Sequence, residues 1–272
     1  MRSRPKDLWE RRELMFGLVR RDLRQSTVGL WLGWGWWLLD PLILMGIYWF
    51  LVLAIGQGTT VEAFPVFVLC GLTPWKWAAS SVGAAAGSLF RERSLIQTIA
   101  IPKAVLPLAG VLTHGVYAAF GVLLVGVIAA IVGRPITPAA IQAVLMLPLF
   151  GVLLCGLALI ASAGTLIVRD LSNVVGYAFR LLLYASPIVY PLSRVEGLIG
   201  NVVENPGLAD FVYVVYSANP LNIATQMVRG GLYEGVWVPG WMWFALAGEA
   251  VAALSLGAVL FWRVERWIIK VI

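Results

Sequence analysis

Histidine is nearly absent from this chain, cysteine almost so, and charge is scarce from end to end. With one histidine in 272 residues, the zinc motif H-E-x-x-H is impossible, and no Ser/His/Asp or Cys/His set is evident. The two cysteines, Cys70 and Cys155, both fall inside apolar stretches. A thiol there behaves as a small hydrophobe, so they read as packing residues and no metal site is expected. No G-x-x-x-x-G-K-[ST] occurs, so the chain has no phosphate-cradling loop of its own. Charged residues make up 12% of the sequence, against about 25% in soluble domains, which places the chain in the membrane class. The first 33 residues hold eight basic and four acidic side chains with no A-x-A-like site before a short apolar region. They do not read as a cleavable signal. No internal repeat, low-complexity segment or linker interrupts the rest.

Six long apolar stretches fill the chain instead, at 28–55, 64–88, 104–132, 139–168, 174–192 and 240–262. Each is near or above the ~20 residues needed to cross a hydrocarbon core of ~30 Å. The expected fold class is an all-α polytopic membrane protein with six transmembrane helices, residues 1–272 forming one transmembrane domain. If the amino end is cytoplasmic and the spans alternate, fifteen Lys and Arg fall inside and three outside (Arg134, Arg194 and Arg229). That is a strong positive-inside bias, and it predicts cytoplasmic termini. The net charge of +6 suits anionic lipid or an acidic partner at that face. Nucleic acid is not expected, because no binding motif accompanies the basic residues.

Residues 1–27 are expected to contain an interfacial helix. Leu8, Met15, Val19 and Leu23 share one face at helical spacing, with Arg20, Arg21 and Arg24 opposite. It reads as a topology anchor or as a surface that docks a cytoplasmic partner. Trp31 and Trp34 suit a membrane-boundary belt, whereas Trp49, Trp75 and Trp77 fall deep in spans. Flat aromatic faces there suit amphipathic cargo such as sugars. The segment 191–239 is neither span nor ordinary loop: Pro191, Pro206 and Pro220 interrupt it, and its apolar stretch 211–216 is too short to cross. A pair of short re-entrant helices on the outer side fits, and such broken elements are tolerated only where buried or lining a cavity. Asp40, Lys76, His114, Arg180 and Glu249 sit inside the spans. Intramembrane charge is costly, so each is a functional candidate, and Lys76 and Glu249 stand out at mid-span. Asp40 can pair locally, Arg180 can snorkel, and His114 can be a packing residue.

Several motifs in order resemble the membrane subunit of ATP-binding-cassette exporters for polysaccharides such as O-antigen, teichoic acid and capsule. They begin with 19–23 (V-R-R-D-L) and 32–42 (L-G-W-G-W-W-L-L-D-P-L), similar to that family's interface helix and first span. The G-L-T-P-W of 71–75 resembles a break in the second span. Leu95-Ile96 through Ile101-Pro102-Lys103, with Leu106-Pro107, resembles the cytoplasmic loop after it, and 169–173 (R-D-L-S-N) the loop between spans four and five. The S-P-I-V-Y-P of 186–191 and Asn219-Pro220-Leu221 match the segments bracketing the outer gate helices. One departure stands in the first loop, where the family often has basic residues and this chain has Gln97 and Thr98.

The resemblance implies a half-transporter: two copies form a pore, and two copies of a separate ATPase subunit hold ATP and magnesium, with no cofactor on this chain. Not being an enzyme itself, it would pass a polyprenyl pyrophosphate glycan across the bacterial inner membrane. Arg20, Arg21, Arg24, Arg91, Arg93, Leu95, Ile96, Arg169 and Asp170 are the expected ATPase-coupling residues, with 90–103 as the coupling loop. Trp37, Trp49, Trp75, Lys76, Trp77 and Arg180 are the channel or cargo candidates, Lys76 or Arg180 attracting the pyrophosphate. Pro187, Tyr190, Pro191, Asn219 and Pro220 would frame the external gate in 191–239. The alternatives are a drug or lipid exporter permease of the same superfamily and a membrane-embedded glycosyl- or acyltransferase. The second needs a compact catalytic set that the isolated acids here do not supply.

Overall fold

The structure, a computed structural model, describes residues 10–29, 31–33, 35–54, 61–98, 101–203 and 205–265. Leu8, Trp34, Arg266 and Lys270 lie outside the described residues. Helices account for every regular element among those described: α1 (Arg12–Gln25), α2 (Gly35–Ala54), α3 (Phe64–Arg91), α4 (Arg93–Thr98), α5 (Val105–Ile131), α6 (Ile141–Ile167), α7 (Leu171–Ala185), α8 (Leu192–Val202), α9 (Pro206–Ser217), α10 (Pro220–Arg229) and α11 (Gly240–Val264). A 3-10 turn precedes α6 at Pro138–Ala140, and a π-helical turn follows α10 at Gly230–Glu234.

Four helices are long and apolar enough to cross a membrane: α2, α5, α6 with its leading turn, and α11. Helix α3 has the length, 28 residues, but it is interrupted by Thr73-Pro74-Trp75-Lys76-Trp77 and is less apolar. It occupies the middle of the bundle, packing on α2, α5, α6, α7 and α10, and 18 of its residues are buried. A helix surrounded by protein needs no continuous lipid-facing surface, which is why its sequence can afford those polar positions.

Two of the expected spans are shorter than their sequence suggested. The apolar stretch 28–55 becomes helical only at Gly35, because turns with left-handed Gly29 (φ 79°) and Gly33 (φ 49°) separate it from α1. The stretch 174–192 forms α7, which ends at Ala185. Its 15 residues reach about 22 Å at 1.5 Å per residue. Pro187 ends it, since a proline has no N–H to continue the ladder and pushes its predecessor out of the helical region; Ser186 is accordingly extended at ψ 153°.

The long helices alternate in direction. At one end, α1 lies across the bundle and buries Leu18 and Val19 against Leu89, Val105, Leu106, Leu166 and Phe261. At the other, Glu62, Arg134 and Tyr233 are linked by hydrogen bonds, and Gln142 bonds separately to the Val236 carbonyl. The tightest crossing is α6 on α11: a Cβ on Gly156 would run into the backbone of Ala253, and one on Gly257 into Gly156. Small residues let two backbones meet where lipid offers no hydrophobic drive to associate.

The segment 191–239 holds three short helices (α8, α9 and α10) and the π turn, not the expected pair. Each starts at a proline or directly after one. Asn205 and Asn219 cap α9 and α10, their Oδ1 atoms accepting from backbone amides at 3.0 Å and 2.9 Å.

Candidate functional site

Residues from the first, second and third apolar stretches meet in a cavity of about 240 Å³. Helix α2 contributes Trp36, Trp37 and Asp40; α3 contributes Thr73, Lys76, Trp77 and Ser80; α5 contributes His114 and Tyr117. Lys76 and Asp40 form an ion pair across the α2–α3 contact, and both side chains stay partly exposed. Asp40 therefore pairs between helices and not locally with its own turn. Two opposite charges in contact cost the membrane less than either alone. The Trp37 ring lies 4.1 Å from that of Tyr117, whose hydroxyl donates to Ser26 Oγ at 2.9 Å. The cavity is thereby tied to the turn that follows α1. His114 Nδ1 sits 2.9 Å from the Gly110 carbonyl oxygen, one turn back on its own helix.

The six cargo candidates separate into groups. Trp37 and Lys76 line the cavity. Trp77 lines it too but is a core residue: it is 6% exposed, donates to the Val111 carbonyl at 3.2 Å, and meets Phe150 edge to face. Gly115 and Gly151 leave room for its indole, as a Cβ on either would press to 3.2 Å. Trp75 donates to the Phe179 carbonyl at 2.8 Å and joins α3 to α7. Trp49 is exposed on α2, and Arg180 is exposed on α7 beside the Tyr177 ring. Arg180 does not join Lys76 in the cavity.

The coupling candidates converge at the α1 end. Arg21 turns inward instead of lying opposite the apolar face. Its guanidinium grips Glu92 with bonds of 3.1 Å and 2.6 Å, fixing α1 to the end of α3. The Glu92 hydrogen bonds, more than any other contact, raise the Arg21 pKa above its usual value. Beneath this contact Leu95 and Ile96 of α4 pack partly buried against the α1 cluster, together with Met15 and Leu23. Arg20, Arg24, Arg91, Arg93, Arg169 and Asp170 are exposed around it. Arg169 lies over the Phe90 ring at 5.3 Å, which brings the loop before α7 to the same surface.

At the opposite end the gate candidates form the break after α7. Pro187 and Ile188 are buried, and Ile188 presses on α3 so closely that a Cβ on Gly71 would stand 2.9 Å from its side chain and 3.0 Å from its Cα. The Tyr190 hydroxyl donates to the Tyr184 carbonyl at 2.8 Å and pairs with the Tyr216 hydroxyl at 3.1 Å. This joins the break to α9. Pro191 precedes α8, while Asn219 and Pro220 open α10. The residue the sequence reading missed is Arg229. Assigned to an outer loop, it is instead 1% exposed, with its Nη2 donating to the Ile188 and Phe67 carbonyls at 3.1 Å and 3.4 Å and its charge 3.5 Å from the Phe67 ring centre. The available signal was the spacing Asn222, Gln226, Arg229, a polar stripe along one helix face.

No protein-family model matches the chain. Among curated proteins, it is 28% identical over 191 residues to "O-antigen export system permease protein RfbA" of Myxococcus xanthus, covering 70% of this chain and 73% of the relative. Two proteins of the same description from Klebsiella pneumoniae are 25% and 24% identical over 201 residues, covering 74% of this chain and 77% of each. The chain is thus similar to three O-antigen export permeases over about three quarters of its length. The similarity to those permeases and the four apolar helices together support a multi-pass membrane protein.

Proposed function

We propose that the chain is the permease half of an ATP-driven exporter for lipid-linked polysaccharide in the bacterial cytoplasmic membrane. The observation that carries the reading is the convergence of α1, α4 and the 169–170 loop on one face, where five arginines are exposed over a packed apolar base. A rigid, basic platform built from three separate segments suits an acidic docking partner. With no phosphate loop in this chain, that partner supplies the nucleotide site, holding ATP and magnesium.

In this reading two copies of the chain enclose the pathway and two ATPase subunits dock on the two α1 faces. Helices α2, α3, α5, α6, α7 and α11 are the six spans, with the break at 186–191 completing the fifth. Helices α8 and α9 form the re-entrant gate, and both termini are cytoplasmic. ATP binding draws the motors together, and α1 and α4 pass the movement to α3 as a rigid body. The pyrophosphate end of the cargo reaches the cavity beside Trp37 and competes with Asp40 for Lys76, while Arg180 on α7 offers a second cation. The export of O-antigen by the relatives supports a glycan as cargo.

Co-purification with a separate ATPase subunit from the source cell, followed by ATP-dependent transfer of polyprenyl-linked glycan in vesicles, tests the proposal. Stable association and transfer are expected. Transfer that persists without any ATPase subunit rejects it.

A further inference from the structure

Gln142 is fully buried near the start of α6, and both ends of its amide are spent on one short piece of chain. Its Nε2 donates to the Val236 carbonyl at 2.6 Å, and its Oε1 accepts from the Val238 amide at 3.0 Å. The backbone is thus held on both sides of Trp237, much as a neighbouring strand would hold it. The arrangement needs Gly230: a Cβ there would come to 2.9 Å from the Val236 oxygen and 3.1 Å from Gln142 Nε2. Yet the indole that this clamp positions is 54% exposed. These buried polar contacts do nothing to cover the side chain; they fix the backbone that presents it.

Trp237 lies on the rim of a cavity of about 320 Å³. Ser193 at the start of α8, Gln226 and Arg229 of α10, and Glu234 of the π turn also line it. Arg229 is buried there, and its Nε has no hydrogen-bond partner among the described residues. A buried donor of this kind is costly to leave unmade. Glu234 acts on the Arg229 charge, so the cavity presents a cation and an anion together. The volume is at the small end for ligand sites, roughly 300–1,000 Å³.

We propose that this cavity is a docking site for a neutral sugar ring, with Trp237 as the stacking platform. A pyranose offers an apolar C–H face to the indole. Its hydroxyls both donate and accept, which matches the Ser193 hydroxyl, the Glu234 carboxylate and the amide of Gln226, whose Nε2 also donates to Asn222 Oδ1 at 3.3 Å. The lack of net charge in the lining favours a neutral unit over a uronate. Resting on the export reading, this puts a saccharide contact at the end of the bundle opposite α1, where the glycan leaves. Because α8 contributes to the cavity and Arg229 also holds Ile188, an occupied site touches the break itself.

Saturation-transfer NMR on the purified full chain, with maltotetraose and mannotetraose as probes and glycerol as control, tests it. Saturable transfer from protein to ring protons of at least one tetraose is expected, with none to glycerol. Trp237→Ala should weaken that binding at least tenfold, Trp237→Phe should retain most of it, and Gln226→Ala should weaken it several-fold without altering the melting temperature. No saturable transfer, or transfer unchanged in both alanine variants, overturns the site and leaves Trp237 a membrane-boundary residue. Vesicle export by the wild type without tetraose binding rejects this inference alone. Tetraose binding without ATPase-dependent export rejects the export reading and leaves the sugar site standing.

Discussion

Helices α2 and α3 begin from similar material and end in opposite environments. Each has an internal proline and one charged residue near it, Asp40-Pro41 in α2 and Pro74 with Lys76 in α3. Helix α2 is the more evenly apolar, and among its 20 residues only Pro41 and Tyr48 are buried. Helix α3 is punctuated by glycine, threonine, serine and tryptophan, and it is the centre of the bundle. Hydrophobicity alone therefore does not report position in this bundle: α6 is the most apolar of the four candidate spans and has 14 buried residues, whereas apolar α2 has two. Helix α3 meets α2, α5, α6, α7 and α10 although its sequence departs from a uniform apolar run, because close packing and interhelical hydrogen bonds replace lipid around it.

Matched glycine substitutions should break this comparison most sharply. Gly71→Val on α3 collides with Ile188 and its backbone, and should cost about 3 kcal/mol. Gly46→Val on α2, which meets nothing within 4 Å, should leave the melting temperature in detergent nearly unchanged. Equal losses at both positions would refute the assignment of α3 as the centre.

The charge pair that joins the two helices is the next test. Lys76→Met strands Asp40 in an apolar setting, and adding Asp40→Asn should restore part of the loss. A double-mutant cycle read by thermal unfolding should give a coupling of roughly 1 kcal/mol. A coupling near zero would mean that the pair contributes nothing beyond proximity.

A smaller effect is expected where α3 ends. Arg21→Ala removes the grip on Glu92, and the partly exposed pair should contribute about 0.5 kcal/mol to stability. Arg21→Lys should be intermediate, since an ammonium does not reproduce the two-pronged contact. If the α1 face docks the motor, both variants should lower coupled ATP hydrolysis more than they lower the melting temperature. The smallest effect belongs to the outward face of α2: Phe50→Ala, at an exposed position, should change stability by no more than about 0.5 kcal/mol.

Much of this layout was legible in the residues. The expected 104–132, 139–168 and 240–262 correspond to helices 105–131, 141–167 and 240–264, because uncharged apolar length is a local property that lipid crossing demands directly. The docking face of α1 was legible from Val19, Met15 and Leu23 through helical periodicity. Arg21 was not, as periodicity places it away from the core while Glu92, its partner, is 71 residues distant. The sequence places the end of α7 too late, because 174–192 reads as continuously apolar although Pro187 stops the helix after Ala185. Arg229 looked like an outer-loop charge for a similar reason: Phe67 and Ile188, which bury it, belong to other helices.

Composition and pattern by themselves determined that this chain lives in a membrane and where its long helices run. These follow from sums over neighbouring residues, which a linear chain states openly. Only the tertiary structure decided that Asp40 meets Lys76, that Gln142 holds the backbone on both sides of Trp237, and that α3 packs on α2, α5, α6, α7 and α10. Such contacts depend on which faces of which helices come within a few ångströms, and short-range packing between distant segments leaves no periodic trace in the sequence that produces it.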